Sequence, residues 1–173
     1  MAAPSAVTSA PRLRPSHALA TLMLALLMGL QPITTDLMLP ALPALAADLH
    51  AGMAPVQWTM SALILAFGMA QLVWGPVADR VGRRPVLLLG LALYTLASVG
   101  AALAGDVTLV VVWRALQGAA MSAAVVCARA MVRDLYEPHE GVMVLARALA
   151  GLGLVAVASP LVAGLLVSAW GWR

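Results

Sequence analysis

Arg114 stands in a run, residues 107–128, that carries no other charge. A guanidinium at such a place in hydrocarbon costs about 2.5–3.5 kcal/mol or more unless it is hydrated or paired. Gln117 follows three residues later, so carboxamide and guanidinium share a helical face with Gly118 and Met121. Asp36 closes another uncharged run, residues 18–35. A carboxylate held between burial and a nearby cation can take up and release a proton, or meet a cationic ligand. Asp36, Arg114 and Gln117 are therefore the candidates for binding and proton chemistry.

A second cluster is Gly75-Pro76-Val77-Ala78-Asp79-Arg80-Val81-Gly82-Arg83-Arg84. Gly75 is expected to let its helix approach a neighbour closely, and Gly82 to supply a positive-φ turn. Asp79 falls at a helix C-terminus, where the macrodipole opposes an acid. It therefore calls for a cationic partner, and Arg129 and Arg133 are the candidates. Arg80, Arg83 and Arg84 suit an anionic membrane surface, at roughly 1 kcal/mol for each basic residue. Further along, Ser159-Pro160 and Gly164 combine small residues with a proline that is expected to kink a helix.

Enzymatic groupings are missing from the sequence. Ser61, Ser98 and Ser122 lie in apolar runs without a plausible histidine partner, and His17, His50 and His139 fall at loops or the tail. The chain has no lysine, so a phosphate-binding loop ending in Gly-Lys is excluded. Cys127 is the sole cysteine, which rules out an internal disulfide and favours no metal cluster. The chain reads as no enzyme, with no metal and no cofactor.

The elements that must position these residues follow from composition. Of 173 residues, 63% are hydrophobic and only 10% charged, against about 25% charged in soluble domains. The fitting solvent is a lipid bilayer, which takes about 20 apolar residues per span. Spans are predicted near 18–39, 55–78, 85–104, 107–129 and 142–169, giving an incomplete helical bundle over 18–173. Residues 1–17 read as a disordered cytoplasmic tail. Helices are preferred to barrel strands because the runs are continuous rather than alternating. The net charge of +3 does not indicate nucleic acid, because the arginines gather at span ends. They sit in the tail and in alternate loops, so the positive-inside rule puts the N-terminus in the cytoplasm. Trp58, Trp170 and Trp172 then suit the outer interface, beside Arg173.

The cluster Gly75-x-x-x-Asp79-Arg80-x-Gly82-Arg83-Arg84 between two spans resembles the signature loop of the major facilitator superfamily. Trp113-Arg114-Ala115-Leu116-Gln117-Gly118 resembles that superfamily's second motif. Thr35-Asp36-Leu37-Met38-Leu39-Pro40-Ala41-Leu42-Pro43 and Arg129-Ala130-Met131-Val132-Arg133-Asp134-Leu135 resemble its drug:proton antiporter branch, in particular the bicyclomycin-resistance-like exporters. The span-five motif of that branch has Gly-Pro followed by a glycine pair. Here Ser159-Pro160-Leu161-Val162-Ala163-Gly164 replaces two of those glycines by Ser and Ala.

The resemblance implies an all-α integral membrane fold. The chain supplies five transmembrane helices of the N-terminal six-helix half, and a missing C-terminal half is the implied partner. It implies multidrug efflux through the inner membrane, with the proton gradient as driving force. Arg114 would couple substrate and proton movements, and the Gly75–Arg84 loop would latch the cytoplasmic gate. Two other readings remain open: a truncated, non-transporting remnant or interaction module, and an exporter or importer of a metabolite such as a sugar or amino-acid derivative.

Overall fold

Helix after helix forms because each apolar run must satisfy its backbone internally once water is excluded. The computed structural model describes residues 17–172. The expectations for the tail up to residue 16 and for Arg173 lie outside the described residues, as does that for the Trp170 side chain. The order is α1 (His17–Met38), a 3₁₀ turn (Leu39–Ala41), α2 (Leu42–Asp48), α3 (Met53–Val81), α4 (Arg83–Leu103), α5 (Val107–Leu135) and α6 (Pro138–Trp170). Among the described residues, five helical stretches are long and apolar enough to cross a membrane, α1 and α2 acting as one.

Three boundaries depart from the sequence reading. Pro40 and Pro43 point to a helix ending there, yet helical backbone continues to Asp48. Each proline occupies one of the first two positions of a new segment, the 3₁₀ turn or α2, where its missing N–H costs nothing. The loop around Asp79 shrinks to a single residue, Gly82, between α3 and α4. Finally, Arg133 and Asp134, beyond the expected end of their span at 129, belong to α5.

α5 is the hub. Its apolar stretch is 56% buried, against 6% for α3 and 12% for α6. α3 and α4 pack on it together, while α1 packs on both α5 and α6. In lipid this association rests on close van der Waals contact rather than on the hydrophobic effect. Small residues on α5 permit it: Gly118, Ala120, Ser122, Ala123, Ala124 and Ala128 are all buried. Gly118 lies directly under the Leu63 backbone of α3, and Gly90 of α4 lies over Ala123. The Trp74 indole N–H donates to the Ala119 carbonyl at 2.8 Å, tying α3 to α5. Large apolar side chains such as Leu26, Leu65, Met69, Leu72 and Leu165 face outward, as lipid contact requires.

The interior divides by depth. One core, of Met38, Leu45, Val56 and Val110, fills the end opposite the arginines. There Gly171, at φ +79°, turns the chain after α6. Trp172 then donates its indole N–H to Asp48 Oδ2 at 3.0 Å. At the arginine-rich end, Leu24, Met28 and Ala128 join α1 to α5, and Ala78, Val86 and Cys127 join α3, α4 and α5.

Candidate functional site

Arg114 is buried on the hub helix, one turn inside Val110 and about two turns from the end of α5 opposite the arginines. Its Nη1 donates to Gln117 Oε1 at 3.0 Å. Gln117 Nε2 donates to Ser98 Oγ on α4 at 2.7 Å, and Ser98 passes its own proton to the Tyr94 carbonyl at 2.8 Å. Tyr94 Oη lies 2.7 Å from Thr34 Oγ1 on α1. The Thr34 hydroxyl proton is already given to the Leu30 carbonyl at 2.6 Å, so Tyr94 is the donor. Polar groups of α1, α4 and α5 thus surround a cavity of about 270 Å³. Thr34, Tyr94, Arg114 and Gln117 line it, with Leu37, Met38, Ala163, Leu166, Val167 and Trp172 as its apolar wall. A smaller space of about 170 Å³ shares Met38, Arg114, Gln117 and Trp172 and reaches Ser98.

Arg114, Gln117, Gly118 and Met121 do share a face, and all four are buried. Ser98 and Tyr94 were missed as polar partners; sequence reading takes Ser98 only as a serine without a histidine partner. Their i, i+4 spacing on α4 was visible, but the register of α4 against α5 was not. Asp36 is half-buried on α1, one residue from Thr35 and Leu37. Leu37 is in the cavity wall and Asp36 is not. Among the described residues no ion pair joins Asp36 to Arg114.

The arginine-rich end holds the second constellation. Arg83, the first residue of α4, forms an ion pair with Asp79 at the end of α3. Its Nε also donates to Asp134 Oδ2 on α5 at 3.2 Å. One guanidinium thereby ties three helices together. Of the expected partners of Asp79, Arg129 and Arg133, neither forms that direct ion pair, although the Arg133 charge acts on Asp79 from further away. The cause is helical phase: both residues line a groove against α6 with Val132, Tyr136, Gly141 and Leu145, while Asp134 turns toward α4. With Gly82 the only break, Asp79 and Arg83 stay four residues apart and meet directly. Arg80 and Arg84 are exposed.

Two small-residue expectations also change. Nothing lies within 4 Å of where a Gly75 side chain would be, so Gly75 is not a close-approach site; Gly118 is. Pro160 and Gly164 face away from the bundle, whereas Ser159 and Ala163 turn inward and Ala163 reaches the cavity.

Gly82 is different, because its φ of +99° and ψ of +157° lie in a region essentially reserved for glycine. Gly82→Ala is expected to cost about 1–3 kcal/mol. Asp134→Asn removes only an exposed charge and is expected to move the thermal midpoint less. Melting both purified variants in one detergent checks that order.

A bundle of apolar helices around a buried Arg–Gln pair, with an acid–arginine corner at one end, defines a polytopic α-helical membrane protein. Comparison with known sequences gives the class. The sequence profile of the Major Facilitator Superfamily matches residues 23–173, and the chain belongs to that superfamily. It is 36% identical over 154 residues to "Multidrug resistance protein D" of Escherichia coli K12, covering 88% of this chain and 39% of that protein. It is 39% identical over 140 residues to a "Chloramphenicol resistance protein" of Pseudomonas aeruginosa, covering 80% and 33%. It is 32% identical over 153 residues to a "Tetracenomycin C resistance and export protein" of Streptomyces glaucescens, covering 87% and 28%. The chain thus spans well under half the length of these relatives.

Proposed function

We propose that this chain is the N-terminal part of a proton-coupled secondary transporter. It exports drug-like amphipathic molecules across the inner membrane by alternating access, with its N-terminus in the cytoplasm. The observation that carries the reading is the Arg114–Gln117–Ser98 network, buried among apolar helices and open to a cavity of about 270 Å³. A buried polar constellation of this kind in a membrane marks a substrate or ion path. The drug-resistance names of the relatives support the direction of transport.

In this mechanism the six-helix half rocks against a second half about a site near mid-membrane. Arg114 holds the substrate side and Asp36 carries the exchanged proton. The Asp79–Arg83–Asp134 corner closes the cytoplasmic side when its three helices are together. Pro160 and Gly164, on the outward face of α6, meet the remainder of the transporter. The driving force is the proton gradient, with no bound cofactor or metal.

The test uses everted membrane vesicles from cells expressing the gene. Drug is expected to accumulate when the lumen is acidified and to leave when nigericin collapses the gradient. Asp36→Asn is expected to reduce gradient-driven accumulation at least tenfold while downhill exchange persists. Accumulation that ignores the gradient, or full activity in Asp36→Asn, would contradict the roles assigned here.

A further inference from the structure

The Arg114 cavity holds a buried cation, and among the described residues no carboxylate pairs with it. Arg114 exposes only 8% of its surface, and its Nε–H is buried without a partner. Among the described residues, no aspartate or glutamate forms an ion pair with it. The neutral polar groups around it bond one another or the backbone. Gln117 Oε1 accepts from Arg114, Ser98 Oγ accepts from Gln117, Thr34 gives its proton to Leu30, and Tyr94 gives its proton to Thr34. The Trp172 indole N–H is turned to Asp48. What the walls lack is a negative oxygen. A buried donor without an acceptor costs about 1–3 kcal/mol, and more when charged.

We propose that the ligand of this cavity is an amphiphile carrying an anionic oxygen, paired with the Arg114 guanidinium, with its apolar body against Met38, Leu166 and Trp172. This deepens the transport reading above and rests on it. It also reverses the preference for cations that a carboxylate at Asp36 would suggest, because Asp36 is outside the cavity wall.

The experiment uses three compounds with one apolar body: 1-naphthaleneacetic acid, its primary amide, and 2-(1-naphthyl)ethylamine. Binding to the purified chain in uncharged maltoside micelles is measured by equilibrium dialysis, with protein-free micelles subtracted. The acid is expected to bind at least tenfold more tightly than the amine, with the amide between them. Arg114→Gln should abolish that ranking and Arg114→Lys should retain it. Equal binding of all three, lost in Arg114→Gln, would overturn the anion preference and leave the transport site standing. An acid preference that survives in Arg114→Gln would place the anion elsewhere and overturn the proposal. If none of the three binds to wild type, both the ligand class and the site fail. Because the wild-type ranking is informative alone, the test does not depend on the variants folding.

Discussion

Gly118→Val is expected to keep the bundle from assembling. A first side-chain carbon at position 118 would run into the carbonyl oxygen, carbonyl carbon and Cα of Leu63. Those are backbone atoms of a buried helix turn and cannot swing aside. α3 would have to move off the hub, breaking the Trp74–Ala119 hydrogen bond at 2.8 Å as it went. Overpacking usually costs about 1–3 kcal/mol, and a rigid obstacle puts this case at or above the upper end. Gly75→Ala on α3 is the control. It meets open space and replaces glycine by a residue that favours a helix by about 1 kcal/mol. Fluorescence-detected size exclusion with thermal challenge should show Gly118→Val aggregated and Gly75→Ala at least as stable as wild type. A monodisperse Gly118→Val protein with an unchanged midpoint would refute the packing of α3 on α5 described above.

Arg114→Ala is expected to separate the proposed transport from folding. Removing a buried, incompletely bonded guanidinium relieves a desolvation cost, so stability should hold or rise. Transport should drop at least tenfold, equivalent to about 1.4 kcal/mol. Gln117 loses its donor and the cavity loses its one positive charge. Arg114→Lys keeps the charge but not the planar, multidentate donor set, so it should recover only part of the rate. Drug export from cells, measured beside the melting temperature of the same variants, reads both effects. Loss of folding together with export would make Arg114 a structural residue.

Much of this architecture was readable from charge and hydropathy, and the reason is the bilayer. Uncharged runs of span length leave few alternatives to helices, and the arginines mark one end of each hairpin. Gly82 was readable because only glycine tolerates its backbone. The proximity of Arg114 and Gln117 was readable because three residues make nearly one turn. Contacts between helices were not. The place of Gly75 and Gly118 depends on how far α3 slides along α5, and helical periodicity does not encode that distance. Asp79 pairs with Arg83 instead of Arg129 or Arg133 because the phase of α5 at its end turns Asp134, not its arginines, toward α4. Tyr94 and Ser98 did not stand out as a pair because their polar atoms acquire partners only when α1 and α5 are laid beside α4. The continuation through Pro40 and Pro43 was hidden because each proline ends one helical segment and begins the next.

The bond between Trp172 and Asp48 joins residues 124 positions apart. The Asp48 carboxylate is made early, whereas the indole arrives only after α6 has been threaded through the lipid. A nascent chain stalled before it would leave the Asp48 carboxylate without this indole, so the contact marks the insertion of α6. Crosslinking between these two positions during synthesis would therefore time the arrival of α6.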